Sequence, residues 1–158
     1  MAISYQRRQE EKILSKAQRI LDHRFLRETG PITDSFAAGQ YLRMKLAPQE
    51  REVFAVIFLD NKHRVIAYEE IFRGTINRTE VHPREVARAA LRHNAAAVIV
   101  GHNHPSGDPT PSDGDRAITD RLRSALDLLD IKVIDHLVIG GDDYTSIGEY
   151  EHLLAVAK

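Results

Sequence analysis

The sequence contains no cysteine. That absence excludes a disulfide framework, a cysteine nucleophile and a cysteine-liganded metal, so any metal site must be built from His, Asp or Glu. It also fits the reducing cytoplasm, where we expect the protein to reside. Neither charge is in excess, because 22 Lys and Arg stand against 23 Asp and Glu. A non-specific nucleic-acid binder usually carries a basic excess that neutralises phosphates, so nucleic acid is a weakly supported partner.

Long apolar runs are also missing. The longest one, residues 95–100, is far shorter than the roughly 20 residues that span a bilayer, and the N-terminus lacks the apolar core of a secretory signal. We therefore expect no membrane partner. The chain has 158 residues, of which 42% are apolar and 28% are charged. This size and balance are typical of one soluble globular domain.

Hydrophobic periodicity predicts the element order ααββαβαββ. Helices are predicted at about residues 6–27, 34–46, 83–94 and 113–129, and strands at about 52–60, 63–72, 95–100, 131–139 and 144–147. This order predicts an α/β fold, a single domain at residues 32–158 with a mixed β-sheet flanked by helices. A small helical extension, residues 1–31, precedes it. The extension is amphipathic and locally basic, and it can pack on the domain or on a second copy, which leaves a homo-oligomer open.

The segment GHNHPSGDPTPSDGD, residues 101–115, carries the most informative polar residues. His102 and His104 directly follow a predicted buried strand. If the extended backbone continues, residues i and i+2 point to the same face, about 6.6 Å apart along the chain. Two such imidazoles can bind one cation, although an H-x-H pair by itself is also common among ordinary surface histidines.

Ser112 and Asp115 stand where the helix 113–129 is expected to begin. The pattern S-x-x-D ahead of an apolar-periodic run resembles a capping box, in which both side chains satisfy N–H groups of the first turn. A carboxylate held at a helix N-terminus also points in a fixed direction, as a third metal ligand must. The two interpretations are compatible, since prolines stiffen the loop that would bring its two ends together.

The spacing H-x-H, seven residues, S-x-x-D resembles the JAMM signature of MPN-domain metalloproteases. The string HNHPSGDPTPS is similar to bacterial RadC proteins in particular, with Asn103 in place of the Ser or Thr of eukaryotic deubiquitinating enzymes. The resemblance continues through EREVFAVIFLDNKHRVI, FRGTINRTEVHPREV and VIDHLVIGGDDYTS, and so covers about residues 32–150. Longer RadC proteins carry a preceding helix-hairpin-helix region, for which we expect no room here.

The resemblance implies a single MPN (JAMM) domain with a zinc site. His102, His104 and Asp115 would hold one Zn²⁺ ion per chain, with water as the fourth ligand. Ser112 would hydrogen-bond that water or the oxyanion of the reaction.

The general base of the family is a glutamate at the head of a strand, about 50 residues before the histidines, which binds water and not the metal. Glu52 is the match. Glu50 is a close competitor, and Glu69 and Glu70 are distant ones. His136 interrupts the predicted strand 131–139 and is either a satisfied sheet histidine, which we favour, or a partner behind a metal ligand.

The leading prediction is therefore a zinc metallopeptidase or isopeptidase that acts on a protein or peptide substrate. One alternative is a metal-dependent nuclease linked to DNA repair or to a mobile element, although such sites more often use two metals and several carboxylates. The other is a non-catalytic MPN scaffold, which usually goes with loss of the ligands.

Overall fold

The computed structural model describes residues 2–74 and 80–149 of the chain. The predicted end of the domain at residue 158 lies outside these described residues. The helices are α1 (Ala2–His23), α2 (Ser35–Leu46), α3 (Pro83–Arg92) and α4 (Asp113–Asp127), and α1 runs into a π-helical turn at Arg24–Glu28. The strands are β1 (Val53–Leu59), β2 (Val65–Arg73), β3 (Ala97–Asn103), β4 (Lys132–Gly140) and β5 (Asp143–Ser146).

The five strands form one mixed sheet in the order β2-β1-β3-β4-β5. Strands β3 and β4 are parallel, and all the other neighbours are antiparallel. Helix α4 provides the connection between the parallel pair, which a short turn cannot make. The predicted α/β fold with a mixed sheet and flanking helices is confirmed.

The sheet has a hydrophobic core on each face, which explains why β1 reads as a continuous apolar run. Side chains alternate between the faces along a strand. In β1, Ala55 and Ile57 point to the core that contains α2. Val56 and Phe58 point to the core that contains α3 and α4. The candidate site lies on this second side, at the end of β3.

Strand β3 extends further than the apolar run at residues 95–100 predicts. It begins at Ala97 and continues through Gly101, His102 and Asn103, all of them buried. Gly101 and His102 stay in the sheet because β1 and β4 pair with them on both sides, and Asn103 pairs with Ile139 of β4. A Cβ on Gly101 would lie 2.7 Å from the Leu42 side chain, so a glycine lets α2 pack directly on the strand.

The N-terminal extension is joined to the domain through its last turn. Phe25 stacks on Tyr41 of α2 with ring centroids 3.9 Å apart. The Tyr41 hydroxyl donates to Asp22 at 2.7 Å, and the Lys45 ammonium donates to the same carboxylate. Most side chains earlier in α1 are exposed. No helix among the described residues is long and apolar enough to cross a membrane.

Candidate metal centre

Two histidines leave the end of β3 on the same side of the sheet. His102 pairs with Phe54 of β1 and Val138 of β4. His104 follows the strand, and its N–H still donates to the carbonyl of Ile139 at 2.7 Å. Since the backbone stays extended, the side chains at i and i+2 share one face. This is the face on which α4 packs.

Asp115 reaches the same place from the first turn of α4. The Oγ of Ser112 accepts a hydrogen bond from the Asp115 N–H at 3.1 Å, and Asp115 Oδ2 accepts one from the Ser112 N–H at 2.8 Å. This reciprocal pair is a capping box. The predicted helix cap is therefore present, and it fixes the direction of the Asp115 carboxylate.

The loop between the histidines and α4 lies against the end of β4. A Cβ on Gly140 would stand 2.4 Å from the backbone nitrogen of Pro109 and 2.8 Å from the Gly107 carbonyl oxygen. Gly107 itself has a φ of 86°, in the left-handed region that other residues rarely adopt. The two glycines therefore let the loop turn back closely enough to support His104.

The side chains of His102, His104 and Asp115 meet at one point. The two Nε2 atoms are 3.0 Å apart, His102 Nε2 is 3.1 Å from Asp115 Oδ1, and His104 Nε2 is 3.1 Å from Asp115 Oδ2. A tetrahedral zinc ion with bonds of about 2.0–2.1 Å separates its ligand atoms by about 3.3–3.4 Å. A small outward movement of these side chains would fit that ion. Within residues 2–74 and 80–149, this is the one cluster with metal-ligand spacing.

The hydrogen bonds on the far side of each imidazole decide which nitrogen faces the site. His104 Nδ1 lies 2.8 Å from the carbonyl oxygen of Asp108. A carbonyl only accepts, so Nδ1 carries the proton and neutral His104 presents its Nε2 lone pair. Such a bond from the outer nitrogen to a carbonyl is typical of metal-binding histidines.

His102 is oriented by a chain of three groups behind it. The Thr119 hydroxyl donates to the Asp115 carbonyl at 2.7 Å and lies 2.6 Å from His136 Nδ1, whose proton it can accept. Burial and the neighbouring His102 lower the pKa of His136, so it is neutral and its Nε2 is an acceptor. His102 Nδ1, 2.8 Å away, therefore donates to it. The Nε2 lone pair of His102 is left facing the site.

Charge inside the site favours a cation. Burial acts to raise the pKa of the Asp115 carboxyl. When no metal is bound and the imidazoles of His102 and His104 take up a proton on Nε2, their hydrogen bonds to this carboxylate outweigh burial and hold its pKa well below the usual value. The pKa of His104 is raised, chiefly by its hydrogen bond to Asp115. A proton and a metal ion thus compete for the same nitrogen, and metal affinity falls as the pH falls.

Glu52 lies directly before β1 and lines the same cleft as His102, His104 and Asp115. It alternates with Phe54, the residue that pairs with His102. Its charge contributes to the raised pKa of His104. The cleft has a volume of about 1240 Å³, and Ser112 also lines it. The structure thus places Glu52 and Ser112 in the same cleft as the three residues that could bind a metal ion.

The competing glutamates lie elsewhere. Glu69 accepts hydrogen bonds from Arg92 on α3, and Glu70 accepts one from Arg73. Glu50 is exposed and precedes the strand by a further two residues. None of the three lines the cleft.

Sequence reasoning favours the wrong interpretation of one supporting residue and gives no role to another. His136 has no exposed surface and lies 2.8 Å from His102 Nδ1, as the less favoured interpretation, a partner behind a metal ligand, requires. The signal for it was its polar side chain within an apolar strand parallel to β3. The Asn103 side chain forms hydrogen bonds with the main chain of residues 49–53, beside the site. The residue type at this position of the motif does not indicate that role by itself.

Comparison with known proteins shows what this chain is similar to. A family model described as a RadC-like JAB domain matches residues 32–153. A UPF0758 protein of Vibrio cholerae is 54% identical over 136 residues, which is 85% of each chain. The UPF0758 protein YkfG of Escherichia coli is 50% identical over 143 residues, which is 90% of each chain.

Longer relatives are matched over part of their length. A UPF0758 protein of Xylella fastidiosa is 56% identical over 125 residues, which is 79% of this chain and 56% of that protein. The chain therefore spans little more than half the length of that relative. The names of these proteins state no activity.

Proposed function

Since the chain belongs to the family of RadC-like JAB domains, as its sequence predicted, we propose that it is a zinc-dependent hydrolase that cleaves an amide bond. The observation that carries the proposal is the convergence of two imidazole Nε2 atoms and one carboxylate within 3.0–3.1 Å at the bottom of a cleft. Three protein ligands with an open fourth position are the arrangement of catalytic zinc sites.

Three side chains would bind the metal ion, and the hydrogen bonds behind them would orient those side chains. His102, His104 and Asp115 would hold the ion, and the hydrogen bonds behind them keep their lone pairs directed at it. The metal, when bound, would lower the pKa of a water molecule and polarise the substrate carbonyl. Zinc suits this donor set because imidazole and carboxylate are among its usual ligands.

Glu52 would move the proton. A carboxylate on the cleft wall, next to the ligands and outside the ligand set, can take a proton from the attacking water and give it to the leaving amine. Ser112 would stabilise the oxyanion. Its Oγ accepts from the Asp115 N–H, so its own hydroxyl proton stays available for donation into the cleft.

A peptide or protein is the favoured substrate class. The donor set has one carboxylate and serves one ion, whereas phosphodiester cleavage commonly uses two metals about 3.5–4 Å apart with several carboxylates. Cleavage of DNA is therefore an outcome for the experiment to exclude.

The experiment compares wild type with Glu52→Gln and Glu50→Gln. Metal content is measured first, and then zinc-loaded proteins are offered a peptide library and single- and double-stranded DNA. We expect one zinc per chain in all three proteins, peptide cleavage by Glu50→Gln at the wild-type rate, and only a residual rate in Glu52→Gln. The matched control is Glu50, a nearby carboxylate outside the cleft.

Three outcomes would contradict the proposal. Wild type that binds no zinc would remove the metal centre. Loss of zinc in Glu52→Gln would show that Glu52 is a ligand. Metal-dependent DNA cleavage that Glu52→Gln abolishes, without peptide cleavage, would make the protein a nuclease.

A further inference from the structure

Asn103, between the two histidines, points away from the metal centre. Its neighbours His102 and His104 face α4, so alternation directs the Asn103 side chain to the opposite side of the strand. The side chain is 2% exposed. A buried amide of this kind requires partners for its oxygen and both of its N–H groups.

The hydrogen bonds of the Asn103 side chain to described residues all lead to the segment that carries Glu52. Its Oδ1 accepts from the Val53 N–H at 2.7 Å. Its Nδ2 donates to the Arg51 carbonyl at 2.9 Å and to the Gln49 carbonyl at 3.3 Å. One side chain therefore binds the main chain immediately before and immediately after Glu52.

The main chain of Glu52 itself is held from the other side. Its carbonyl accepts from the Gly74 N–H at 2.8 Å, at the end of β2. The peptide units on both sides of the Glu52 Cα are thus held by hydrogen bonds. Asn103 of β3 binds both units, and Gly74 binds the second of them as well. This matters because residues 47–52 precede β1 and lie outside the sheet ladder.

We propose that Asn103 is a positioning residue that holds Glu52 at a fixed distance from the metal centre. The residue between the two ligands thereby ties the glutamate to the same strand. The inference rests on the proposed function for the role of Glu52, but the geometry it asserts is measurable without a substrate. Only a carboxamide offers one acceptor and two donors at this place. A hydroxyl has one proton, and a carboxylate has none.

The size of the effect follows from the sensitivity of catalysis to geometry. A misplacement of about 1 Å lowers a rate about 100-fold. In Asn103→Leu, which removes all three bonds, we expect kcat to fall about 100-fold while KM and zinc affinity stay within about threefold. Asn103→Thr is smaller and uncharged and keeps one donor and one acceptor, so it is the variant to measure if the leucine variant does not fold, and its loss of kcat is expected to be intermediate.

A double-mutant cycle separates positioning from general damage. If Asn103 acts through Glu52, adding Asn103→Leu or Asn103→Thr to Glu52→Gln does not lower the residual kcat of Glu52→Gln any further. Asp34→Ala is the matched control for lost stability. It removes the side chain that caps α2 and accepts from the Phe36 N–H at 2.9 Å, far along the chain from the cleft. We expect it to lower the melting temperature and leave kcat unchanged.

The readout without substrate is the distance from Glu52 to a paramagnetic metal. The full chain is loaded with Co²⁺, and paramagnetic relaxation of the Glu52 side-chain carboxyl ¹³C is measured in wild type, both Asn103 variants and Asp34→Ala. We expect relaxation to weaken in the Asn103 variants alone. The inference is overturned if relaxation is unchanged there, or if kcat falls together with zinc affinity and additively with Glu52→Gln. Wild type without any hydrolase activity would refute the proposed function, and the Co²⁺ result would still decide the inference.

Discussion

Replacing His136 with leucine should weaken zinc binding while the domain stays folded. The substitution removes the acceptor that lies 2.8 Å from His102 Nδ1, at a position with no exposed surface. A buried N–H without a partner costs about 1–3 kcal/mol. That penalty falls on the tautomer that binds metal, because only with Nδ1 protonated does His102 present the Nε2 lone pair to the site.

The expected loss of affinity is about tenfold to a hundredfold. A difference of about 1.4 kcal/mol is a factor of ten in a dissociation constant, so the penalty of one unpaired N–H corresponds to that range. In metalloproteins generally, removing the hydrogen-bond partner of a metal-binding histidine lowers metal affinity about 10–100-fold, which agrees with this range. The change is measured by titrating the apoprotein with Zn²⁺ against a competing chelator of known affinity.

The control for this experiment is Leu137→Ala on the same strand. Leu137 is fully buried in the core that contains α2, on the other face of the sheet. Its truncation should lower stability by about 2–5 kcal/mol and leave zinc affinity unchanged. A dissociation constant for folded His136→Leu within twofold of wild type would refute the assigned tautomer and the supporting role of His136.

Three further predictions concern stability and the supporting loop. Ser112→Ala removes the cap of α4 and should lower the free energy of unfolding of the apoprotein by about 0.5–2 kcal/mol, as measured by urea denaturation. Ser112→Thr keeps a capping hydroxyl and should lose less stability. Equal losses in the two variants would show that the Ser112 hydroxyl does not stabilise the helix. Gly140→Ala should lower both the melting temperature and the zinc affinity, because its Cβ would meet the Pro109 nitrogen at 2.4 Å and displace the Asp108 carbonyl that holds His104. Gly30→Ala is the control, since a Cβ at Gly30 would have no atom within 4 Å. Equal melting temperatures and zinc affinities of the two variants would contradict this reasoning. Burial, with the charge of Glu70, raises the pKa of Tyr68. The folded protein therefore keeps the Tyr68 proton while the unfolded chain ionises near pH 10, so stability is full below about pH 10 and falls above it. Urea denaturation at about pH 8 and about pH 10.5 should show a smaller loss in Tyr68→Phe, and an equal loss would contradict the assignment.

The element order could be read from the sequence because it depends on local periodicity. β1 is apolar throughout, as a strand covered on both faces is. β2 carries the charged residues Glu69, Glu70 and Arg73, as a strand at a sheet edge can. The end of β3 was predicted wrongly because His102 and Asn103 are polar and resemble a loop. They remain in the sheet through pairing with β1 and β4, which no local pattern reveals.

The ligand set was predicted from spacing and resemblance, since His102, His104 and Asp115 lie within fourteen residues of sequence that form one strand end, one loop and one helix start. Their capping and alternation are local properties. The partners behind them are distant along the chain. His136 contacts His102 across 34 residues, and Asn103 contacts Val53 across 50.

The sequence by itself therefore determined which side chains can bind a metal ion. Residue type and short-range geometry were enough, because a strand sets the direction of i and i+2 and a helix cap sets the direction of its carboxylate. Only the tertiary structure decided how those groups are used. The proton on His102 and the place of Glu52 depend on hydrogen bonds between the segment before β1 and the elements β3, β4 and α4, and such bonds exist only after the sheet has assembled.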